Sequence, residues 1–228
     1  MTQTPPLADR LLAASIHEIK NRFGLVFSQL DQLLADLPLS DAHGQQAEQI
    51  KSEAQFIGSE LVRVLVSYKT LESEDLVNQG QQFVVDFLEE KVARHANTAR
   101  AHQLSLDFDC DEELDAFFDA GIVNIVLDTA IYNAVKEGAK RILLSADLTD
   151  DYYLRLQIHD DGPGFPAAML AAEPAPGAVN SDSQSTGLGL YFARRLISQH
   201  REGDKQGRLE LGASDRLSGA CVSLFLPQ

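Results

Sequence analysis

The sequence predicts an α+β protein: a helical hairpin over residues 1–78, then a two-layer α/β sandwich over residues 79–228. Three observations carry this. Apolar residues recur in alternating steps of three and four through the first third of the chain. Beyond Gln79 the pattern turns to alternation with a period of two. A long helical stretch, Asp119 to Ala139, lies between those strand patterns, which is the mark of helices layered on a sheet.

The first helix follows Leu12, Ile16, Ile19, Phe23, Val26, Leu30, Leu33 and Leu37. Thr4-Pro5 starts it with a capping hydroxyl and a first-turn proline, and Pro38 ends it. Ser40 or Asp41 caps the second helix, which follows Ile50, Ala54, Ile57, Leu61, Val64, Tyr68 and Leu71. One hairpin leaves its apolar seam wet. A second copy buries it in a four-helix bundle, so residues of about 7 to 76 predict a homodimer, with packing onto a partner protein as the alternative.

The second region predicts a short strand at Gln82-Phe83-Val84, a helix over Asp86–His102 and a strand over Gln103–Asp109. The long helix Asp119–Ala139 follows. Two strands come next, Arg141–Leu148 and Tyr152–Ile158, with Asp150-Asp151 as their turn. Pro166–Ser185, rich in Ala, Pro, Ser and Gly, reads as a loop. A helix over Gly187–Gln199 and strands over Arg208–Gly212 and Ala220–Leu226 complete the chain.

The net charge of −15 repels nucleic acid and anionic lipid surfaces, so neither is an expected partner. No stretch approaches the ~20 apolar residues that span a bilayer. The start, Met1 to Pro6, lacks the pattern of a signal peptide, and the two cysteines, Cys110 and Cys221, have no metal-ligand spacing. A cytoplasmic protein with reduced thiols is expected.

Four short segments carry chemistry. Asp160-Asp161-Gly162-Pro163-Gly164 follows an apolar strand. A carboxylate there can accept from the exocyclic amine of adenine, and the glycines let a base approach; an ordinary surface turn has the same look. In Ser185-Thr186-Gly187-Leu188-Gly189-Leu190, glycines open a helix whose free N–H groups suit phosphate. That segment lacks the spacing of a dinucleotide fingerprint or a P-loop. Asn133 and Lys136 share one helix face, where an oxygen ligand and a cation can hold Mg²⁺ and triphosphate, or simply meet solvent. His17 flanks the seam of the first helix. Its neutral ring is a nucleophile toward phosphorus, with Glu18 placed to take its proton and Asn21 one turn on, although a lone helical histidine is commonly inert.

The order and spacing of these segments resemble the sensor histidine kinases of two-component systems, over nearly the whole chain. His17-Glu18-Ile19-Lys20-Asn21 is similar to their H box and Asn133-Ala134-Val135-Lys136 to their N box. Asp160-x-Gly162-x-Gly164 resembles the G1 box, Gly187-Leu188-Gly189-Leu190 the G2 box, and Gly219 fits a further glycine position. Arg22, Thr129 and Ser185 stand where many relatives carry proline, asparagine and glycine.

The resemblance implies a GHKL-type ATPase sandwich that uses ATP and Mg²⁺. It implies that Asp160 recognises adenine, Asn133 ligates the metal and Lys136 meets phosphate. Gly162, Gly164, Thr186, Gly187, Leu188 and Gly189 would shape the nucleotide site. His17 would take the γ-phosphoryl group and pass it to the aspartate of a response-regulator receiver domain, with phosphatase activity through Glu18 and Asn21. The sequence shows no sensor, membrane or receiver segment, so either a separate sensor protein is an expected partner or the chain is an intermediate in a relay. Two other readings use the same residues: a dimeric histidine phosphotransferase that does not use ATP, and a non-catalytic, nucleotide-gated binding module.

Overall fold

The structure, a computed structural model, describes residues 50, 77–171 and 188–228. Apart from Ile50, these lie in one compact unit, Asp75–Gln228. The predicted hairpin, its dimer seam and the residues His17, Glu18, Asn21 and Arg22 lie outside the described residues. So do Ser185, Thr186 and Gly187.

Strand β1 (Gly80–Phe83) runs into helix α1 (Val84–Arg94), followed by α2 (Ala96–His102), β2 (Ser105–Cys110) and β3 (Asp115–Phe118). Helix α3 spans Ala120–Lys136, β4 Arg141–Leu148 and β5 Tyr153–Asp160. Then come α4 (Ala167–Ala171), α5 (Leu188–Ile197), β6 (Arg201–Glu202), β7 (Lys205–Gln206), β8 (Arg208–Ala213) and β9 (Ala220–Pro227). Among the described residues, no helix is long and apolar enough to cross a membrane.

Five strands form the main sheet in the order β2-β4-β5-β9-β8. β2 lies parallel to β4, and the other neighbours are antiparallel. Helices α1, α3 and α5 cover one face. Ile142, Leu144, Leu154, Leu156 and Ile158 meet them there with almost no exposure. From the helices, Leu88, Leu127, Ile131 and Leu196 complete the core, an α/β layer pair built on alternation in the strands and 3.6-periodicity in the helices.

The other face is polar. Arg155 donates twice to Asp147, at 2.8 and 2.7 Å, and the Gln157 amide donates to Ser223 at 3.0 Å. A cavity of about 470 Å³ opens on this face, lined by Asp109, Asp147, Arg155, Gln157, Asp215 and Arg216 among others.

Several expectations are corrected. The helix predicted over 86–102 is two helices, because His95 leaves helical geometry at φ −91° and ψ 1°. Its ring bonds Asp128 at 2.8 Å, and its carbonyl accepts from Ala99, which starts α2. Val84 belongs to α1 rather than to the strand before it. Residues 167–171 of the predicted loop are helical, with Pro166 O accepting from Met169 N at 2.8 Å. The long helix begins one residue later than expected and ends three earlier. Asp119 is its cap, accepting from Ile122 N at 3.0 Å.

Strand β3 is absent from the sequence reading. Ala116 and Phe118 point inward, but Phe117 is exposed and breaks the alternation that marks a half-buried strand.

Candidate nucleotide site

Asp160 is the last residue of β5, paired with Ile142 and on the face the helices cover. It is buried. Its Oδ1 accepts from Gly162 N at 2.8 Å and Ala220 N at 3.0 Å. Backbone thus saturates one oxygen, and among the described residues none bonds Oδ2. Gly164, at φ +81°, turns the chain back toward Gly219. The Gly219 N–H donates to the Asp160 carbonyl at 2.9 Å.

The neighbouring Asp161 has a different task, which the sequence did not reveal. Its Oδ1 accepts from Lys140 N at 2.7 Å and Arg141 N at 2.9 Å. This bolts the turn to the loop between α3 and β4. Burial opposes ionisation of Asp161, but the Arg141 and Lys140 amides outweigh it and hold the carboxyl below its usual range. The signal available in the sequence was the doubled aspartate at a strand end, since one side chain cannot serve both a ligand and the loop.

Asn133 and Lys136 lie at the C-terminal end of α3, one half-buried and the other exposed. The exit of that helix packs on the Asp160 turn: a Cβ on Gly162 would stand 3.8 Å from the Ala139 methyl. Thr129, one turn before Asn133, is buried, and its hydroxyl donates to Ile125 O at 2.7 Å, so it stays within its own helix. Helix α5 packs against α3. Leu188 opens α5, and Gly189 lies half-buried in its first turn.

The structure thus brings Asp160, Gly162 and Gly164 together with Gly219, and joins them to the end of α3. An acceptor with a saturated partner oxygen, glycines beside it and an amide side chain on the adjoining helix suit a magnesium nucleotide. The cavity on the polar face is lined by none of these residues. Among the described residues, no cluster of His, Cys, Asp or Glu suits a metal held by protein alone. Cys110 and Cys221 are free thiols.

Residues 119–228 match the family described as "Histidine kinase-, DNA gyrase B-, and HSP90-like ATPase". Sensor protein kinase PilS of Pseudomonas aeruginosa is 27% identical over 215 residues, covering 92% of this chain and 40% of that protein. Sensor protein PhoQ of Escherichia coli K12 is 26% identical over 211 residues, covering 92% of this chain and 41% of that protein. The chain therefore spans about two fifths of the length of these curated relatives. In fold, it is similar to the catalytic domain of the histidine kinase ThkA, with a TM-score of 0.52 and 18% identity over 66% of this chain and 96% of that one.

Proposed function

We propose, for a chain whose residues 119–228 belong to the histidine kinase, DNA gyrase B and HSP90 class of ATPases and which resembles the two-component sensor histidine kinases, that it is an ATP-dependent histidine autokinase with His17 as acceptor. The observation that supports this reading is the buried Asp160 carboxylate, fixed through Oδ1 by two amides, with Oδ2 bonded by none of the described residues. Oδ2 accepts from the adenine amine. Gly162 and Gly164 let the base lie close to the backbone. Asn133 supplies an oxygen to Mg²⁺, Lys136 meets phosphate, and Thr186, Gly187, Leu188 and Gly189 line the phosphate end. The metal, when bound, offsets the negative charge on the phosphate oxygens.

In the transfer step, an imidazole nitrogen of His17 attacks the γ-phosphorus. The bond from that phosphorus to the β–γ bridging oxygen breaks, ADP departs with the electron pair, and Glu18 takes the ring proton. The phosphoryl group then passes to an aspartate of a receiver domain as its bond to the His17 nitrogen breaks, and Glu18 with Asn21 supports attack by water on that phosphoaspartate, which releases inorganic phosphate and the free carboxylate. Residues 1–78 form the dimerising hairpin and residues 79–228 bind the nucleotide.

The test uses Mg²⁺ and γ-labelled ATP with the full chain and a His17→Ala variant. Acid-labile label on the wild type alone is expected. ATP binding with no label on either protein supports a binding module instead. Label taken only from a phosphorylated receiver domain supports a phosphotransferase.

A further inference from the structure

His159 precedes Asp160 on β5 and points to the opposite face of the sheet, paired with Cys221 of β9. It is wholly buried, with both ring nitrogens engaged. Nε2 lies 3.2 Å from Ser145 Oγ on β4, and Nδ1 lies 3.1 Å from Ser214 Oγ at the start of the β8–β9 turn. Asp215 Oδ1 is 3.6 Å from Nδ1 on the solvent side. Burial first, then the Arg216 and Arg155 charges, outweighs Asp215 and Asp160 and keeps this ring less basic than usual, so it is neutral near pH 7.

The acceptor count at Ser214 favours one tautomer, against the weaker pull of Asp215. Ser214 Oγ already accepts from Leu217 N at 2.8 Å and Arg216 N at 3.3 Å. Its one proton is then left for Nδ1, and the ring N–H at Nε2 donates to Ser145. Ser214 N also donates to Gly219 O at 2.9 Å. The turn that begins at Ser214 ends at Gly219 and Ala220, whose amides hold the Asp160 backbone and Oδ1. His159, adjacent to Asp160 in β5, therefore anchors the start of the turn that cradles Asp160 from behind, and braces itself on β4 through Ser145.

We infer that His159, through its bond to Ser214, is a positioning residue that aims the Asp160 carboxylate and so sets the preference for adenine. This rests on the reading of Asp160 given above. Asparagine places its amide near the Nδ1 position, and glutamine reaches the Nε2 position. The two substitutions therefore separate the Ser214 bond from the Ser145 bond.

The experiment measures binding of ADP and IDP to the full chain, IDP lacking the exocyclic amine. Wild type and His159→Asn are expected to share a preference for ADP. His159→Gln and Ser214→Ala are expected to lose roughly fivefold of ADP affinity, the worth of about one net hydrogen bond, with IDP affinity unchanged. Ser145→Ala is expected to behave as wild type. This pattern does not follow from a general loosening of the fold, which would weaken both nucleotides. If His159→Gln fails to fold, the comparison of Ser214→Ala with Ser145→Ala decides. Wild type with no preference for ADP removes the role of Asp160 and this inference with it. Wild type with the preference, beside a Ser214→Ala variant that keeps it in full, overturns the positioning role alone.

Discussion

Gly219 lies so close to Asp160 that no side chain fits between them. A Cβ at position 219 would stand 2.7 Å from Asp160 O, 2.5 Å from Gly162 N, and closer still to Asp160 Oδ1. Contacts this short make one strand move away from the other. Gly219→Ala is therefore expected to displace the amides that hold Oδ1. The outcome should be a loss of about tenfold or more in ADP affinity, with a stability cost of roughly 1–3 kcal/mol from overpacking. Calorimetric titration and urea unfolding check the two parts. Unchanged ADP affinity would separate Gly219 from the site.

Lys91 is buried under α3 with 1% of its side chain exposed. Its ammonium donates to Asp128 Oδ1 at 2.6 Å and Asn124 O at 3.3 Å. Burial drives its pKa down against the pull of Asp128. The Asp128 carboxylate keeps 40% exposure and also bonds His95. Removing each partner then has unequal effects. Asp128→Asn strands a buried cation and should cost about 2–3 kcal/mol, below the 3–5 kcal/mol of a fully buried pair because water reaches the carboxylate side. Lys91→Met leaves a carboxylate that water can solvate and should cost about 1 kcal/mol. Urea midpoints of the two variants test the order.

Neighbouring phenylalanines on β3 make an internal control. Phe118 is fully buried and packs edge-to-face on Phe87, with ring centroids 5.1 Å apart. Phe118→Ala should cost about 3–5 kcal/mol, as transfer and cavity costs add. Phe117 points away and is 54% exposed, and Phe117→Ala should stay within about 0.5 kcal/mol. Equal costs in thermal unfolding would mean that the strand register Gln81↔Phe117 is wrong.

Legibility in the sequence followed the range of the interactions. The strands β4, β5, β8 and β9 and the helix α3 are readable because each carries its own period, and Asp160, Gly162, Gly164 and Asn133 stand out as candidates because their spacing is local. What was missed depends on partners far along the chain. The break at His95 is tied to Asp128, 33 residues away. The role of Asp161 needs the Lys140 and Arg141 amides. The setting of His159 needs Ser145 and Ser214, 14 and 55 residues away. No pattern within one element announces such bonds. Nothing in the sequence around Gly219 says why glycine is needed there; the close approach to Asp160 supplies the reason.

His200 joins the end of α5 to the start of α3, and its protonation should set how the domain responds to acid. It is fully buried. Its Nε2 accepts from Asp119 N at 3.1 Å, while Nδ1 donates to Ile197 O at 3.3 Å. A proton added at Nε2 would face the Asp119 N–H, donor against donor, in a site closed to water. Burial lowers the pKa, and the Ile197 carbonyl and the Asp119 charge only partly oppose it. The folded protein thus binds this proton less readily than the unfolded chain, whose histidine titrates near pH 6.5. Stability from this group is complete above about pH 6.5 and is lost as the pH falls toward the lower folded-state pKa, because the unfolded state gains the proton first. His159 acts in the same direction. Glutamine at position 200 keeps an acceptor for the Asp119 amide but does not titrate. Urea midpoints of wild type and His200→Gln should therefore be close at pH 7.5 and diverge at pH 5.5, with the wild type falling further. Parallel loss in both proteins would show that the imidazole of His200 is not the group being protonated.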